Sequence, residues 1–233
     1  MQPDRTDETA MGVKDPQPRQ RRTKRSVSGK VYWSKSPESF YDTFQRARGR
    51  DIVVAEDREW LRNAFGRAIQ RKRTRVLPRL LVIARLKGPE RAAYEAASDR
   101  VVDRGIARFL PLTELKEALA APHRDELFIG AGYVPEGAIV TLYRGTLEPI
   151  LVPASWFAAS PNGPAPDLNK LEATDYGQTV RLGAYEAAAD AILYDFDPKG
   201  ENQVNFPVNY RCFVELYLPG SVSSRTEKSS INN

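Results

Sequence analysis

The chain has 233 residues and a formal net charge of +5 at pH 7, with a single cysteine and a single histidine. Its length is enough to bury a hydrophobic core, its basic balance favours an acidic partner such as nucleic acid, and Cys212 alone excludes an intrachain disulfide. The first residues lack the apolar segment of a signal peptide, and no apolar run is long enough for a membrane span, so we predict a cytoplasmic protein without membrane contact.

Four segments are predicted from the distribution of apolar residues. Residues 1–29 are polar and proline-containing, with a basic run at 20–25, and are expected to form a disordered basic tail. Residues 30–122 are expected to form a mainly helical basic region. Residues 123–198 are expected to form a small α+β domain, and residues 199–233 an extended segment with a disordered tail.

The first elements of the helical region carry clear start signals. A brief strand is predicted at 31–33, followed by a helix that Ser36 caps and Pro37 opens. The clearest helix follows Asp57, because apolar residues recur there at helical spacing. The residues of this apolar stripe are Leu61, Ala64, Phe65, Ala68 and Ile69.

The remainder of this region is less distinct. Residues 79–85 form a short apolar run whose pattern fits either a buried strand or a helix. The alanine-rich segment 89–107 is predicted to be helical, and so is the short segment 113–120. The N-terminal half is therefore expected to consist mainly of helices.

Basic residues are concentrated between Arg62 and Arg79. Part of this charge complements the dipole of the second helix, but its density exceeds what the dipole requires. Clustered Arg and Lys side chains on one helical face would neutralise several phosphates, whereas the alternative is a solvated basic face. The predicted nucleic-acid-binding residues are Arg67, Arg71, Lys72, Arg73, Arg75 and Arg79.

Beyond Pro122 the pattern becomes strand-like. A strand is predicted at 127–130, and the runs 138–143 and 148–153 flank a glycine-bearing turn, which predicts a hairpin. A strand that leads into a compact helix is predicted over 179–195. The fold class expected for the whole chain is α+β, with a helical N-terminal part followed by a small antiparallel sheet with one packed helix.

The last predicted helix is expected to contribute to the core of the C-terminal part. Its apolar face is predicted to comprise Tyr185, Ala188, Ala189, Ile192 and Leu193. The aromatic pair Trp156 and Phe157 is expected to pack against Ile192 and Leu193, because large apolar side chains next to strands are usually buried.

Neither a catalytic residue nor a cofactor or metal site is predicted. His123 lies in a predicted linker and is interpreted as a surface residue. Gly130 and Gly132 precede Tyr133 rather than a helix, so they lack the context of a phosphate-binding loop and are expected to form a turn or bulge.

One acidic cluster leaves an alternative open. Asp190, Asp195 and Asp197 could hold Mg²⁺ in a nuclease-like or hydrolase-like site, because paired carboxylates are common ligands of this ion. Aspartate beside Pro198 is also common for reasons of turn geometry.

Several of these features resemble one bacterial family. The hairpin of 138–153, the pair Trp156-Phe157 and the stretches 176–180 and 189–194 resemble an uncharacterised bacterial domain. Members of that family often lie beside toxin genes of addiction modules, and some are joined to a C-terminal helix-turn-helix. The resemblance covers about 127–197, implies a toxin-like protein as partner, and carries over no catalytic residue.

The function expected from the sequence is that of a non-catalytic regulatory or adaptor protein. It would contact nucleic acid or a protein partner through the basic helical surface. The alternatives are the metal-dependent nuclease or hydrolase with the aspartate cluster, and a purely structural interaction domain.

Overall fold

The computed structural model describes residues 29–70, 77–159, 161 and 163–197. The predicted terminal tails, apart from Gly29, lie outside these ranges. Within the described residues no helix combines the length and the apolar character that crossing a bilayer would require.

Five α-helices are present in the described part of the chain. They are α1 (Pro37–Arg46), α2 (Arg58–Gln70), α3 (Gly88–Glu95), α4 (Leu112–Ala120) and α5 (Ala189–Phe196). The first four strands are β1 (Val31–Trp33), β2 (Ile52–Ala55), β3 (Arg79–Val82) and β4 (Val101–Asp103). The next four are β5 (Arg108–Phe109), β6 (Phe128–Val134), β7 (Ile139–Arg144) and β8 (Pro149–Pro153). The last three are β9 (Leu171–Thr174), β10 (Thr179–Leu182) and β11 (Tyr185–Ala188).

The first four strands form a parallel sheet in the order β1-β2-β3-β4. Helices α1, α2 and α3 connect successive strands. Because parallel crossovers are right-handed and the strand order never reverses, all three helices lie on the same face of the sheet. The opposite face packs against the second half of the chain, which comprises strands β5 to β11 with helices α4 and α5.

Alternate residues of the parallel strands enter two different cores. In β2, Val53 and Ala55 pack with the helices, whereas Ile52 and Val54 pack with residues of the second half. All four side chains are buried. A sheet that is covered on both faces has continuous apolar strands rather than alternating ones, and β2 fits this rule.

The predicted fold class was wrong for the N-terminal half. This half contains a parallel four-stranded sheet, not a mainly helical region followed by an antiparallel sheet. Strands such as 52–55 and 79–82 are short apolar runs buried on both faces, and periodicity alone does not separate such runs from helix segments. The segment predicted as one helix over 89–107 contains α3 and, after it, strand β4.

The second half consists of two antiparallel sheets, with strand orders β5-β6-β7-β8 and β11-β10-β9. The predicted hairpin is confirmed, because β7 pairs with β8 in antiparallel register. Helix α4 confirms the predicted helix at 113–120. A turn or bulge is predicted at Gly130 and Gly132: the register of β6 and β7 shifts between Phe128 and Gly130, whereas Gly132 pairs regularly with Thr141.

The last predicted helix begins later than expected. Tyr185 and Ala188 lie in β11, which pairs with β10, and the helix α5 starts at Ala189. Gly183 adopts a φ of +72° in the turn between these strands, a conformation that glycine tolerates without strain. Strand pairing through this turn therefore overrides the helical preference of the alanine-rich segment.

One hydrophobic core joins the two halves of the chain. It combines the inner face of the parallel sheet with residues of β6 to β11, α4 and α5. Phe157 and Ile192 belong to this core and Trp156 and Leu193 pack against it, so the four residues predicted to pack together share one core. The Trp156 and Phe157 rings lie edge to face, with centroids 5.1 Å apart.

Truncation of Ile192 should destabilise this core. Its side chain is completely buried, so Ile192→Ala is expected to lower the free energy of unfolding by about 2–4 kcal/mol. Urea denaturation followed by circular dichroism measures the change. The matched control is Tyr194→Ala on the same helix, because Tyr194 is 66 % exposed. Equal midpoints for both variants would contradict the buried role of Ile192.

Candidate ligand-binding cleft

A cleft lies at the edge of the parallel sheet where the strands end. Trp33 ends β1, Glu56 follows β2, and helix α4 of the second half lies opposite them. The cavity measures about 700 Å³, within the range of roughly 300–1,000 Å³ that is usual for ligand pockets. Crevices at the carboxyl ends of parallel strands are the usual ligand sites of α/β sheets.

Trp33 is the central side chain of the cleft. It is half-buried at the end of β1, and its indole N–H donates a hydrogen bond to Glu56 Oε1. Lys116 Nζ lies over the indole ring, 4.7 Å from the ring centroid. This distance is typical of a cation–π contact, so Trp33 is held at its edge by a carboxylate and on its face by an ammonium group.

Glu56 and Lys116 are also paired with each other across the cleft. Lys116 Nζ lies 3.9 Å from Glu56 Oε1, and the two side chains are 49 % and 38 % exposed. An ion pair that is open to solvent contributes little to stability. The contact that joins Glu56, Lys116 and Trp33 can therefore rearrange at little cost in free energy.

Trp60 supplies the second aromatic wall. It lies in the first turn of α2 and is half-buried, with its ring centroid 6.3 Å from that of Phe40 on α1. This contact fixes the indole between the helical layer and the cavity. Two of the three tryptophans of the chain thus line the same cleft.

Arg124 forms part of the opposite wall and is held by backbone groups. It is buried, and its guanidinium donates hydrogen bonds to the carbonyl oxygens of Gly29 and, at 3.2 Å, of Leu119. Burial lowers the pKa of Arg124, and the nearby carboxylate of Asp125 raises it in part. Arg124 therefore contributes positive charge and shape to the cleft.

Side chains cap the first turns of α1 and α2, the two helices that begin beside the cleft. Ser36 Oγ accepts the Ser39 N–H at 3.2 Å at the start of α1. Asp57 Oδ1 accepts the Glu59 N–H at 2.6 Å at the start of α2. These caps occupy part of the set of N–H donors that usually bind anions, and Lys35 and Lys116 supply cationic side chains beside them.

The structure separates the two predicted nucleic-acid-binding residues that it describes. Arg67 is exposed on α2, with its guanidinium carbon 4.8 Å from the centroid of the Tyr41 ring. It follows Trp60 by seven positions, which places it on the same face of the helix about 10 Å along the axis. The predicted residues Arg71, Lys72, Arg73 and Arg75 lie outside the described residues.

Arg79 lies on strand β3 rather than on a helix, and its side chain is only 13 % exposed. It pairs with Asp99 at 2.6 Å and donates a hydrogen bond at 2.7 Å to the carbonyl oxygen of Thr146 in the β7–β8 turn. Arg79 therefore links the parallel sheet to the second half of the chain.

Each aspartate of the acidic cluster has a partner within the fold. Asp195 accepts the indole N–H of Trp156 at 2.8 Å, and Asp197 pairs with Arg144 at 2.9 Å. Asp190 accepts the N–H of the next residue at 2.8 Å. The residues that the structure describes contain no group of three or more His, Cys, Asp or Glu that could hold a metal ion.

Sequence reasoning did not identify the cleft. Trp33 and Glu56 come from the first half of the chain, whereas Lys116 and Arg124 come from the second. A usable signal was present in the two tryptophans that lie at the end of a predicted strand and at the start of a predicted helix. The residues that face them could not be assigned without the packing of α4.

Comparison with known proteins does not place the chain in a family, because no family model, curated protein or solved structure matches it. The resemblance of residues 127–197 to a bacterial domain family therefore stays a prediction.

Proposed function

We propose that this protein is a non-catalytic regulatory or adaptor protein that binds single-stranded nucleic acid in the cleft. The observation that carries the proposal is the convergence of two half-buried tryptophans and three cationic side chains on one cavity. The cations are Lys35, Lys116 and Arg124, and the one carboxylate of the lining is Glu56. The lining therefore has a net positive charge.

Aromatic and cationic groups in one groove fit the bases and the backbone phosphates of a nucleotide chain. A base that stacks on an exposed aromatic side chain gains about 1–3 kcal/mol, with little dependence on its identity. Lysine side chains at the rim, here Lys35 and Lys116, neutralise the backbone phosphates. Because the bases of a duplex are stacked on each other, only an unpaired strand presents a free base to Trp33 or Trp60.

The surroundings of the cleft favour a polymer over a mononucleotide. The side-chain caps of α1 and α2 occupy part of the backbone donors that would otherwise bind a terminal phosphate group. Arg67 lies on the face of α2 that carries Trp60, and its guanidinium lies over the Tyr41 ring of α1. A strand that leaves the cleft in this direction would meet the predicted residue Arg67.

The experiment is a titration of fluorescently labelled oligothymidylate at several salt concentrations. We expect binding at low salt and an affinity that falls as salt rises, by about 0.7 units of log–log slope for each phosphate contact of a single strand. Lys35→Ala should lower this slope by about 0.7 units, since the Lys35 side chain lines the cleft.

Lys170→Ala is the matched control. Lys170 is 72 % exposed but lies in the second half of the chain beside Asp167, outside the cleft lining. Its slope should remain that of the wild type. Absence of binding at low salt, or equal slopes for Lys35→Ala and Lys170→Ala, would refute binding in the cleft.

A further inference from the structure

We infer that Glu56 and Lys116 form a gate on Trp33 that opens only for a ligand with backbone phosphates. The inference rests on the proposed binding of single-stranded nucleic acid and adds the means by which the cleft distinguishes a polyanion from an uncharged base. In this gate Glu56 accepts the indole N–H of Trp33 and pairs with Lys116. Lys116 is the side chain that moves, and the Trp33 ring is the surface that it covers.

The ammonium group of Lys116 occupies the place that a stacked base would need. It lies over the indole ring of Trp33, 4.7 Å from the centroid. Trp33 also packs against the core that joins the two halves, so the side of the ring that faces the cleft is the one available to a ligand. A base can stack on this side only after Lys116 has moved away.

A ligand with phosphates offers Lys116 an alternative partner to Glu56. Its pair with Glu56 is open to solvent, with a distance of 3.9 Å between the charged atoms. A lysine side chain is flexible, and hydrogen bonds between ammonium and phosphate groups are among the stronger ones in proteins. On binding, Lys116 exchanges Glu56 for a phosphate, and the exposed indole face receives the base.

Glu56 does not leave with Lys116, because it accepts the indole N–H of Trp33. This hydrogen bond keeps the ring in place while the ammonium group moves. An uncharged nucleoside offers no phosphate to Lys116, so it must displace the cation without compensation. We therefore expect thymidine to bind more weakly than oligothymidylate, even when the two ligands are compared at equal concentrations of bases.

The test uses the full chain, labelled oligothymidylate, three single variants and the double variant of Glu56→Gln with Lys116→Met. Glu56→Gln keeps an oxygen for the indole N–H but removes the charge that holds Lys116, so affinity should rise by up to about fivefold, the upper end for release of an exposed ion pair. Glu117→Gln removes the same charge from an exposed residue of α4 and should change affinity by less than about twofold, as exposed charges usually do.

Lys116→Met retains the aliphatic part of the side chain and removes the charge. The slope of log affinity against log salt should fall by about 0.7 units, because one phosphate contact is lost. In the Lys116→Met background, Glu56→Gln should raise affinity no more than Glu117→Gln does.

The possible failures are distinguishable. Absence of oligonucleotide binding in the wild type overturns both the proposed function and the gate. Oligonucleotide binding with a salt slope that Lys116→Met leaves unchanged overturns the gate alone. So does an equal gain in affinity for Glu56→Gln and Glu117→Gln, because a general charge effect would then explain both.

Discussion

Asp103→Ala is expected to lower the free energy of unfolding by about 2–4 kcal/mol, because it removes a hydrogen bond to a charged group and leaves a buried N–H without its acceptor. Asp103 is completely buried at the end of β4. Its carboxylate accepts the Leu86 N–H at 2.6 Å and pairs with Arg91 at 2.7 Å. The substitution leaves the buried Leu86 N–H without its acceptor and removes the carboxylate partner of Arg91, whose side chain is 24 % exposed.

Urea denaturation gives the size of this loss, and Asp42→Ala is the matched control. Asp42 pairs with Arg46 at 4.0 Å on the exposed side of α1, so its removal should cost at most about 0.5 kcal/mol. Asp103→Asn keeps an oxygen that can accept the Leu86 N–H, so its loss of stability should lie between those of Asp103→Ala and Asp42→Ala. A stability of Asp103→Ala within error of Asp42→Ala would contradict the role of Asp103.

Exchange of Trp33 and Trp60 together for leucine should weaken oligothymidylate binding by about thirtyfold or more, because each stacked base contributes about 1–3 kcal/mol. Leucine keeps the apolar character of both positions but removes the flat surfaces. Each single variant should lose roughly fivefold or more by the same reasoning. Titration at one low salt concentration measures the effect.

Tyr194→Leu provides the control for this pair. Tyr194 is the most exposed large hydrophobic residue among the described residues, and it lies outside the lining of the cleft. Its replacement should leave oligonucleotide affinity unchanged. If the double tryptophan variant retains wild-type affinity and a native circular dichroism spectrum, the bases do not stack in the cleft.

The cleft depends on the packing of the two halves of the chain. Trp33, Glu56 and Trp60 belong to the parallel sheet and its helices, whereas Lys116 lies on α4. The contact of Arg79 with Asp99 and with the carbonyl oxygen of Thr146 connects the halves at another point. Arg79, which the sequence predicted to bind nucleic acid, therefore connects the two halves of the chain.

Local signals in the sequence determined several elements directly. Ser36 and Pro37 predicted the start of α1, and Ser36 does cap this helix. The apolar runs around Gly145 predicted the hairpin that β7 and β8 form. These features depend on hydrogen bonds and turns between residues that are near one another in the chain, so the sequence specifies them without knowledge of distant contacts.

Only the tertiary structure decided the parallel sheet and the cleft. The run 52–55 becomes a strand because β1 and β3 pair with it on both sides, and Tyr185 enters a strand because β10 pairs with β11. Likewise, Lys116 meets Trp33 only because α4 packs at the carboxyl edge of the sheet. Such contacts join segments far apart in the chain, and their energies override local preferences that differ by only about 1 kcal/mol or less per residue.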